Sequence, residues 1–152
     1  MIDKTAIIDP SAQIAEDAII GPNVVIGKNV KIGSKTRVIA NAYIEYAEIG
    51  EGCTISPFAT IGSEPQDLGY KGEETKVVIG DGTIIKENVT VHRGAACGDF
   101  TTRVGKKCLL MVGSHVAHNC VLEDEVILAN LVTLGGHVHV GFGAFVGGMS
   151  VF

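Results

Sequence analysis

The chain has 152 residues, a formal net charge of −5 at pH 7 and no tryptophan. The acidic balance gives no electrostatic case for nucleic acid or an anionic membrane as a partner, and no apolar run is long enough to insert into a bilayer. The length predicts one domain over residues 1–152, and the absence of a signal-peptide pattern predicts a cytoplasmic location.

From Ile2 onward an aliphatic residue recurs at every sixth position, with interruptions after Ile61 and Val91. A small or β-branched residue usually follows four places later, and glycine often follows directly. This period favours a parallel β-helix over an ordinary β-sandwich. Each hexad is then a short strand and a tight corner, and three hexads form one triangular coil with a rise of about 4.8 Å. The all-β fold predicted here is therefore a hexapeptide-repeat solenoid.

Three of the four cysteines fall on the inward register, and none forms a C-x-x-C pair. We therefore predict that Cys53, Cys108 and Cys120 fill the core, with metal binding or redox use of the cysteines as the alternative. Phe152 lies on the repeat itself, so the solenoid stops within a coil and without a polar cap. The sequence is interpreted as a truncated β-helix domain.

Two insertions, at about residues 62–78 and 94–103, interrupt hexads that lie three apart. Both loops are therefore expected to leave the same corner on successive coils. The next two hexads on that corner begin at Val116 and Leu134 and contain His118, Gly136 and His137. Counting alone thus predicts two loops and two histidines along one edge of the solenoid.

An exposed histidine is a plausible general base, and a backbone N–H one coil away can stabilise an oxyanion. His118 with Gly136 therefore points to acyl transfer from a thioester to a hydroxyl. His115 and His137 are candidate substrate contacts, whereas His139 is expected to be a surface group and His92 to be structural or to support the site. In the first loop, Gln66 and Asp67 are candidate sugar ligands, unless the loop is only a solvated turn. The second loop offers Arg103.

Several segments together resemble the UDP-N-acetylglucosamine O-acyltransferases, which are hexapeptide-repeat enzymes of lipid A biosynthesis. They are MIDKTAIIDPSA, PQDLGYKGEETK, VTVHRG, HVAHNC, LGGHVHV and GGMS. The resemblance covers the whole chain in order and implies a left-handed β-helix, the hand opposite to ordinary parallel crossovers.

The resemblance implies that an (R)-3-hydroxyacyl group moves from acyl carrier protein to the 3-hydroxyl of UDP-N-acetylglucosamine. His118 matches the general base and Gly136 the oxyanion donor, while Asp67, His115 and His137 match substrate contacts. It also implies a homotrimer with sites between subunits, and no metal or other cofactor.

The sequence departs from the family pattern at two positions. Asn119 follows the base where an acidic residue is frequent, although its amide oxygen can accept from the imidazole N–H. Gly69 stands where relatives can carry lysine. The family also continues into further coils and a helical domain, so we expect this chain alone to lack full activity and to leave the acyl-chain length undefined.

Three alternatives remain at this point. A related UDP-sugar N-acyltransferase of the same pathway shares the A-H-N run but normally carries an N-terminal domain. A non-catalytic β-helix scaffold would need neither histidine. A trimeric β-helical carbonic anhydrase would bind zinc between subunits, but His115 and His118 are three residues apart and its pair is typically five apart.

Overall fold

The structure, a computed structural model, describes residues 1–152 as 21 β-strands in three parallel sheets. The first sheet contains β1 (Ile7–Ile8), β4 (Val25–Ile26), β7 (Tyr43–Ile44), β10 (Thr60–Ser63), β13 (Thr90–His92), β16 (His115–Val116) and β19 (Thr133–Leu134). The second contains β2 (Gln13–Ile14), β5 (Val30–Ile32), β8 (Ala47–Ile49), β11 (Lys76–Ile79), β14 (Thr101–Val104), β17 (Val121–Leu122) and β20 (His139–Val140). The third contains β3 (Ile19–Ile20), β6 (Arg37–Val38), β9 (Thr54–Ile55), β12 (Ile84–Ile85), β15 (Leu109–Leu110), β18 (Ile127–Leu128) and β21 (Phe145–Val146).

Each strand pairs with the strand three places along the chain, so the chain visits the three sheets in turn. Ile8 pairs with Ile26 and Val116 with Leu134, which is the predicted stacking of residues eighteen apart. The prediction of a left-handed parallel β-helix is confirmed. No helix in the structure has the length and apolar character that crossing a membrane requires.

The interior is a continuous column of aliphatic side chains, because each coil places its repeat residue above that of the coil below. In the first sheet this column consists of Ile26, Ile44, Ile61, Val91, Val116 and Leu134, all at most 1% exposed. Cys53, Cys108 and Cys120 are buried in the core, as predicted, and Cys97 is exposed.

The turns that join the first sheet to the second form one edge of the solenoid, which we call the site corner. After β10 and β13 it carries the two longest connections, residues 64–75 and 93–100. After β16 and β19 it is the short turns 117–120 and 135–138. The predicted insertions, 62–78 and 94–103, therefore extend into strands: they include the last residues of β10 and the first residues of β11 and β14. All four connections leave one sheet in succession, which places them side by side.

Candidate active site

His118 and Asn119 form one hydrogen-bonded unit in the turn after β16. The Asn119 amide is oriented by the second loop, since Oδ1 accepts the Ala95 N–H at 2.9 Å and Nδ2 donates to the Cys97 carbonyl at 2.7 Å. His118 Nδ1 lies 3.0 Å from the same Oδ1. Because that oxygen can only accept, Nδ1 must carry the proton. When the ring carries one proton, the lone pair of Nε2 is therefore free.

Gly136 lies directly against the free side of this ring. A Cβ atom at position 136 would come within 2.6 Å of both Nε2 and Cε1 of His118, closer than real side chains approach one another. On either side, the Gly135 and His137 N–H groups donate to Phe152 O and His118 O. The Gly136 N–H has no partner in the structure. A base nitrogen and an unpaired backbone donor thus lie next to each other.

His137 and Cys97 complete this group on the outer side. The rings of His118 and His137 meet edge to face, with centroids 5.2 Å apart. The Cys97 thiol lies 3.3 Å from His137 Nε2. One ligand atom from each of Cys97, His118 and His137 lies within 4.8 Å of the others. Cys97 was not among the predicted site residues, because it belongs to no repeat position that counting could place.

A second pair of histidines lies one coil below, on the strands that lead into the site corner. The rings of His92 and His115 meet edge to face at 4.9 Å, and His115 Nδ1 lies 2.7 Å from the Thr90 hydroxyl. Burial lowers the pKa of His115, and burial together with the nearby His115 lowers the pKa of His92 to about 4. His92 Nδ1 is also buried without a hydrogen-bond partner. Both rings are therefore neutral at physiological pH.

The first loop folds on itself. The Asp67 carboxylate accepts a hydrogen bond from the Gly69 N–H at 2.8 Å, and its backbone carbonyl accepts one from the Tyr70 N–H at 3.0 Å. Gln66 is exposed. The hydrogen bonds of Asp67 thus stay within its loop, unlike those that link His118, Asn119 and the second loop.

Arg93, which sequence reasoning missed, anchors the first loop. Its side chain is only 6% exposed. It donates to the Gly62 carbonyl at 2.8 Å and to the Tyr70 hydroxyl at 3.1 Å, and it pairs with Glu45 at 3.3 Å. Its guanidinium also lies 4.5 Å from the centre of the Tyr46 ring. A charged residue placed directly before the second insertion is the sequence signal that could have identified it.

The two remaining candidates lie on the surface. Arg103, on β14, donates to Asp99 of the second loop at 2.7 Å, and this hydrogen bond is the main reason that the pKa of Asp99 is lowered. His139 is exposed and binds Glu123 at 2.8 Å. Neither contacts the histidine groups.

Comparison with known proteins places this geometry in a family. The family description "GMPPB C-terminal domain" matches residues 2–65, the lower coils of the solenoid. The acyl-[acyl-carrier-protein]–UDP-N-acetylglucosamine O-acyltransferase of Thermodesulfovibrio yellowstonii is 51% identical over 145 residues, which cover 95% of this chain and 56% of that protein. The chain thus spans about half the length of the curated relatives that it matches.

Two solved structures of UDP-N-acetylglucosamine acyltransferases superpose on nearly the whole chain. LpxA from Acinetobacter baumannii has a TM-score of 0.97 and 44% identity, covering 99% of this chain and 58% of that one. LpxA from Bacteroides fragilis has a TM-score of 0.82 and 37% identity, covering 97% of this chain and 67% of that one. Identity at this level along the whole solenoid, together with a common fold, shows that the chain belongs to the family of UDP-N-acetylglucosamine O-acyltransferases.

Proposed function

We propose that this chain carries the acyl-transfer site of a UDP-N-acetylglucosamine O-acyltransferase, with His118 as its general base. The observation that carries the proposal is the hydrogen bond between His118 Nδ1 and Asn119 Oδ1. The Asn119 carbonyl oxygen holds the proton on His118 Nδ1, so Nε2 faces Gly136 with a free lone pair. A base within reach of an unpaired N–H is what attack of a hydroxyl on a thioester requires.

The reaction follows from these two groups. His118 Nε2 accepts the proton of the sugar 3-hydroxyl as its oxygen forms a bond to the thioester carbonyl carbon. The Gly136 N–H donates a hydrogen bond to the carbonyl oxygen as it becomes negative. When the tetrahedral intermediate collapses, the C–S bond breaks, and the carrier thiolate takes the proton from Nε2. The products are the acylated sugar nucleotide and the free thiol of acyl carrier protein.

Asn119 stabilises this cycle less than a carboxylate would. While His118 is protonated, the amide oxygen still accepts from Nδ1–H, but it carries no negative charge to offset the imidazolium. The amide also donates to the Cys97 carbonyl, a bond that an ionised carboxylate could not make. The asparagine therefore fixes the ring and the second loop together, at some cost in base strength.

The other predicted site residues are proposed as substrate contacts. The His137 ring meets the base edge to face, and His115, neutral and held by Thr90, lies on the strand that leads to the base. We propose that Gln66 and Asp67 contact the sugar in the site of a neighbouring subunit. Within its own chain, the Asp67 carboxylate binds only the Gly69 N–H of the same loop. This assignment requires a homotrimer.

The proposed substrates are UDP-N-acetylglucosamine and an (R)-3-hydroxyacyl-acyl carrier protein, the reaction being the first step of lipid A biosynthesis in the cytoplasm. The names of the homologues support this choice over the N-acyltransferase and scaffold alternatives.

The test is an acyl-transfer assay with 3-hydroxyacyl carrier protein and UDP-N-acetylglucosamine. It compares this chain, an extended chain in which the C-terminal part of the Thermodesulfovibrio yellowstonii relative follows Phe152, and His118→Ala in the extended chain. We expect activity in the extended chain and a loss of at least about 100-fold in the variant. An active extended chain that is indifferent to His118→Ala would contradict the mechanism.

A further inference from the structure

Cys97, His118 and His137 present one ligand atom each within 4.8 Å of one another. They come from three successive connections of the site corner, so the coil rise itself brings them together. We propose that these three side chains bind one soft divalent metal ion, such as Zn²⁺, and that the ion occupies the nitrogen of His118 that serves as base. The sequence predicted no metal, because the thiol lies inside the second loop, and counting gives the corner that this loop leaves but not how it folds.

The ligand types and spacing suit zinc. Thiolate and imidazole are its preferred ligands, at about 2.3 and 2.0–2.1 Å, so one sulfur and two nitrogens around a tetrahedral ion lie roughly 3.3–3.6 Å apart. Cys97 Sγ and His137 Nε2 already lie 3.3 Å apart. The three ligand atoms all lie within 4.8 Å of one another, so metal binding requires the side chains to move together by up to roughly 1 Å. Cys97 and His137 are exposed, so both the approach of an ion and a small rotation of the side chains are available.

Asn119 gives this site the outer support that protein metal sites typically have. A histidine ligand usually donates its second N–H to a fixed acceptor, which sets the ring's orientation. Nδ1 of His118 is bound in this way to Asn119 Oδ1 at 3.0 Å, which leaves Nε2 as the ligand. The same amide donates to the Cys97 carbonyl at 2.7 Å and so holds the loop that carries the thiol.

Cys97 is also the only thiol in the chain suited to metal binding. The other three cysteines are buried, and burial raises the pKa of each of their thiols. Their sulfur atoms contact backbone carbonyls in the core, as Cys120 does with the Gly135 carbonyl at 3.0 Å. Metal binding at Cys97 releases its thiol proton to solvent as the S–metal bond forms, and no electron is transferred.

This metal site has a consequence that rests on the proposed function. The lone pair of His118 Nε2 cannot both bind a metal ion and accept a proton, so the occupied site would be inhibited. Removal of the ion by a chelator would restore the base. Metal binding itself does not depend on the identity of the reaction, and it is tested without an activity assay.

The experiment uses this chain as it is, with Co²⁺ as the spectroscopic probe and Zn²⁺ as the competing ion. We expect one equivalent of Co²⁺ to give a thiolate-to-cobalt charge-transfer band that Zn²⁺ displaces. Cys97→Ser should abolish the band and weaken Zn²⁺ binding at least about 100-fold, since even loss of an outer partner costs roughly 10–100-fold. His137→Gln, a second ligand variant, should weaken binding comparably, and His139→Gln, an exposed histidine outside the cluster, should leave it unchanged.

A second readout examines His118 directly. Zn²⁺ should protect His118 from modification by diethyl pyrocarbonate in the unsubstituted chain but not in Cys97→Ser. Peptide mass spectrometry would measure the modification. No band with Co²⁺, unchanged Zn²⁺ binding in Cys97→Ser, or modification of His118 in the presence of bound Zn²⁺ would overturn the proposal. An extended chain without acyl-transfer activity would count against the proposed function alone, because both metal readouts are independent of turnover.

Discussion

The lower and upper halves of the site corner have the same backbone and different chemistry. In the lower half, Asn29 has a φ of 54° and its N–H donates to the Ser11 hydroxyl one coil below at 2.9 Å. In the upper half, Asn119 has a φ of 59° and its N–H donates to the Thr102 hydroxyl at 2.9 Å. The Asn29 side chain makes no further hydrogen bond, whereas that of Asn119 binds His118 and the second loop.

This difference shows that the residues that form the turn and the contacts that form the site are separate features of the structure. Asparagine tolerates the left-handed conformation that the turn needs, so it serves the fold at both positions. Only where a loop enters beside the turn does the same side chain find donors and acceptors to orient. The site therefore consists of additions to a turn that is complete without them.

The largest effect is expected from substitutions in the aliphatic core, which the two halves share. Ile26→Ala in the lower half and Leu134→Ala in the upper half should each reduce the free energy of unfolding by about 2–5 kcal/mol, because each removes a buried aliphatic side chain from one column. Urea unfolding followed by circular dichroism would measure both. A loss below about 1 kcal/mol at either position would contradict a single continuous core.

Gly136→Ala should damage the site and leave the fold intact. The new Cβ would lie 2.6 Å from His118 Nε2 and displace the ring. A misplacement of about 1 Å is enough to lower the acyl-transfer rate of the extended chain on the order of 100-fold. Gly141→Ala is the matched control, since a Cβ there meets nothing within 4 Å. Equal rates in the two variants would show that close packing against His118 is unimportant.

Comparing Asn119→Ala with Asn29→Ala would measure how much the side-chain contacts of Asn119 stabilise the second loop. Both substitutions place alanine in the same left-handed turn, so the strain largely cancels. Asn119→Ala also leaves the Ala95 N–H and the Cys97 carbonyl without partners, which should cost a further 1–3 kcal/mol or so. Hydrogen exchange at residues 93–100 should accelerate only in Asn119→Ala. Equal destabilisation without faster exchange would mean that the second loop is held by other contacts.

The smallest effect concerns pH. The pKa of His92 is lowered to about 4, below the ordinary value near 6.5, so the unfolded chain binds a proton in this range before the folded chain does. Stability contributed by the neutral ring is complete above about pH 6.5 and is lost as pH falls towards 4. Allowing for partial exposure, we expect about 1–2 kcal/mol, absent from His92→Gln. Chemical unfolding at pH 7 and pH 4.5 would check it, and identical pH dependence in the two proteins would contradict it.

The sequence predicted the fold because its period is strict. The spacing of Ile8, Ile26 and Ile44 alone predicts the length of one coil. Counting hexads assigned the two interruptions to one corner. The same counting placed His118, Gly136 and His137 along one edge, where the structure has them. Their catalytic and binding roles, and those of Gln66, Asp67 and His115, stay predictions.

Counting could not predict the contacts that the loops make. Arg93 binds Glu45 and Tyr70, which lie in two earlier connections, and Cys97 contacts His137 across 40 positions of sequence. These contacts depend on how an irregular segment folds back, and no period encodes that. The orientation of the Asn119 amide was equally inaccessible, because it follows from the Ala95 N–H and the Cys97 carbonyl.

The pairing of β10 with β13, and of β13 with β16, has a consequence for how such a protein can change. Thr60 pairs with Thr90 and Thr90 with His115, as in-register neighbours, although an insertion separates each pair. The strands thus keep their pairing whatever number of residues connects them, with one register shift between Ile61 and Ser63, where the first loop begins. Doubling a flexible loop costs only about 0.6 kcal/mol in closure entropy. New substrate preferences can therefore arise by lengthening or exchanging loops at this edge, while the column of aliphatic side chains behind it stays as it is.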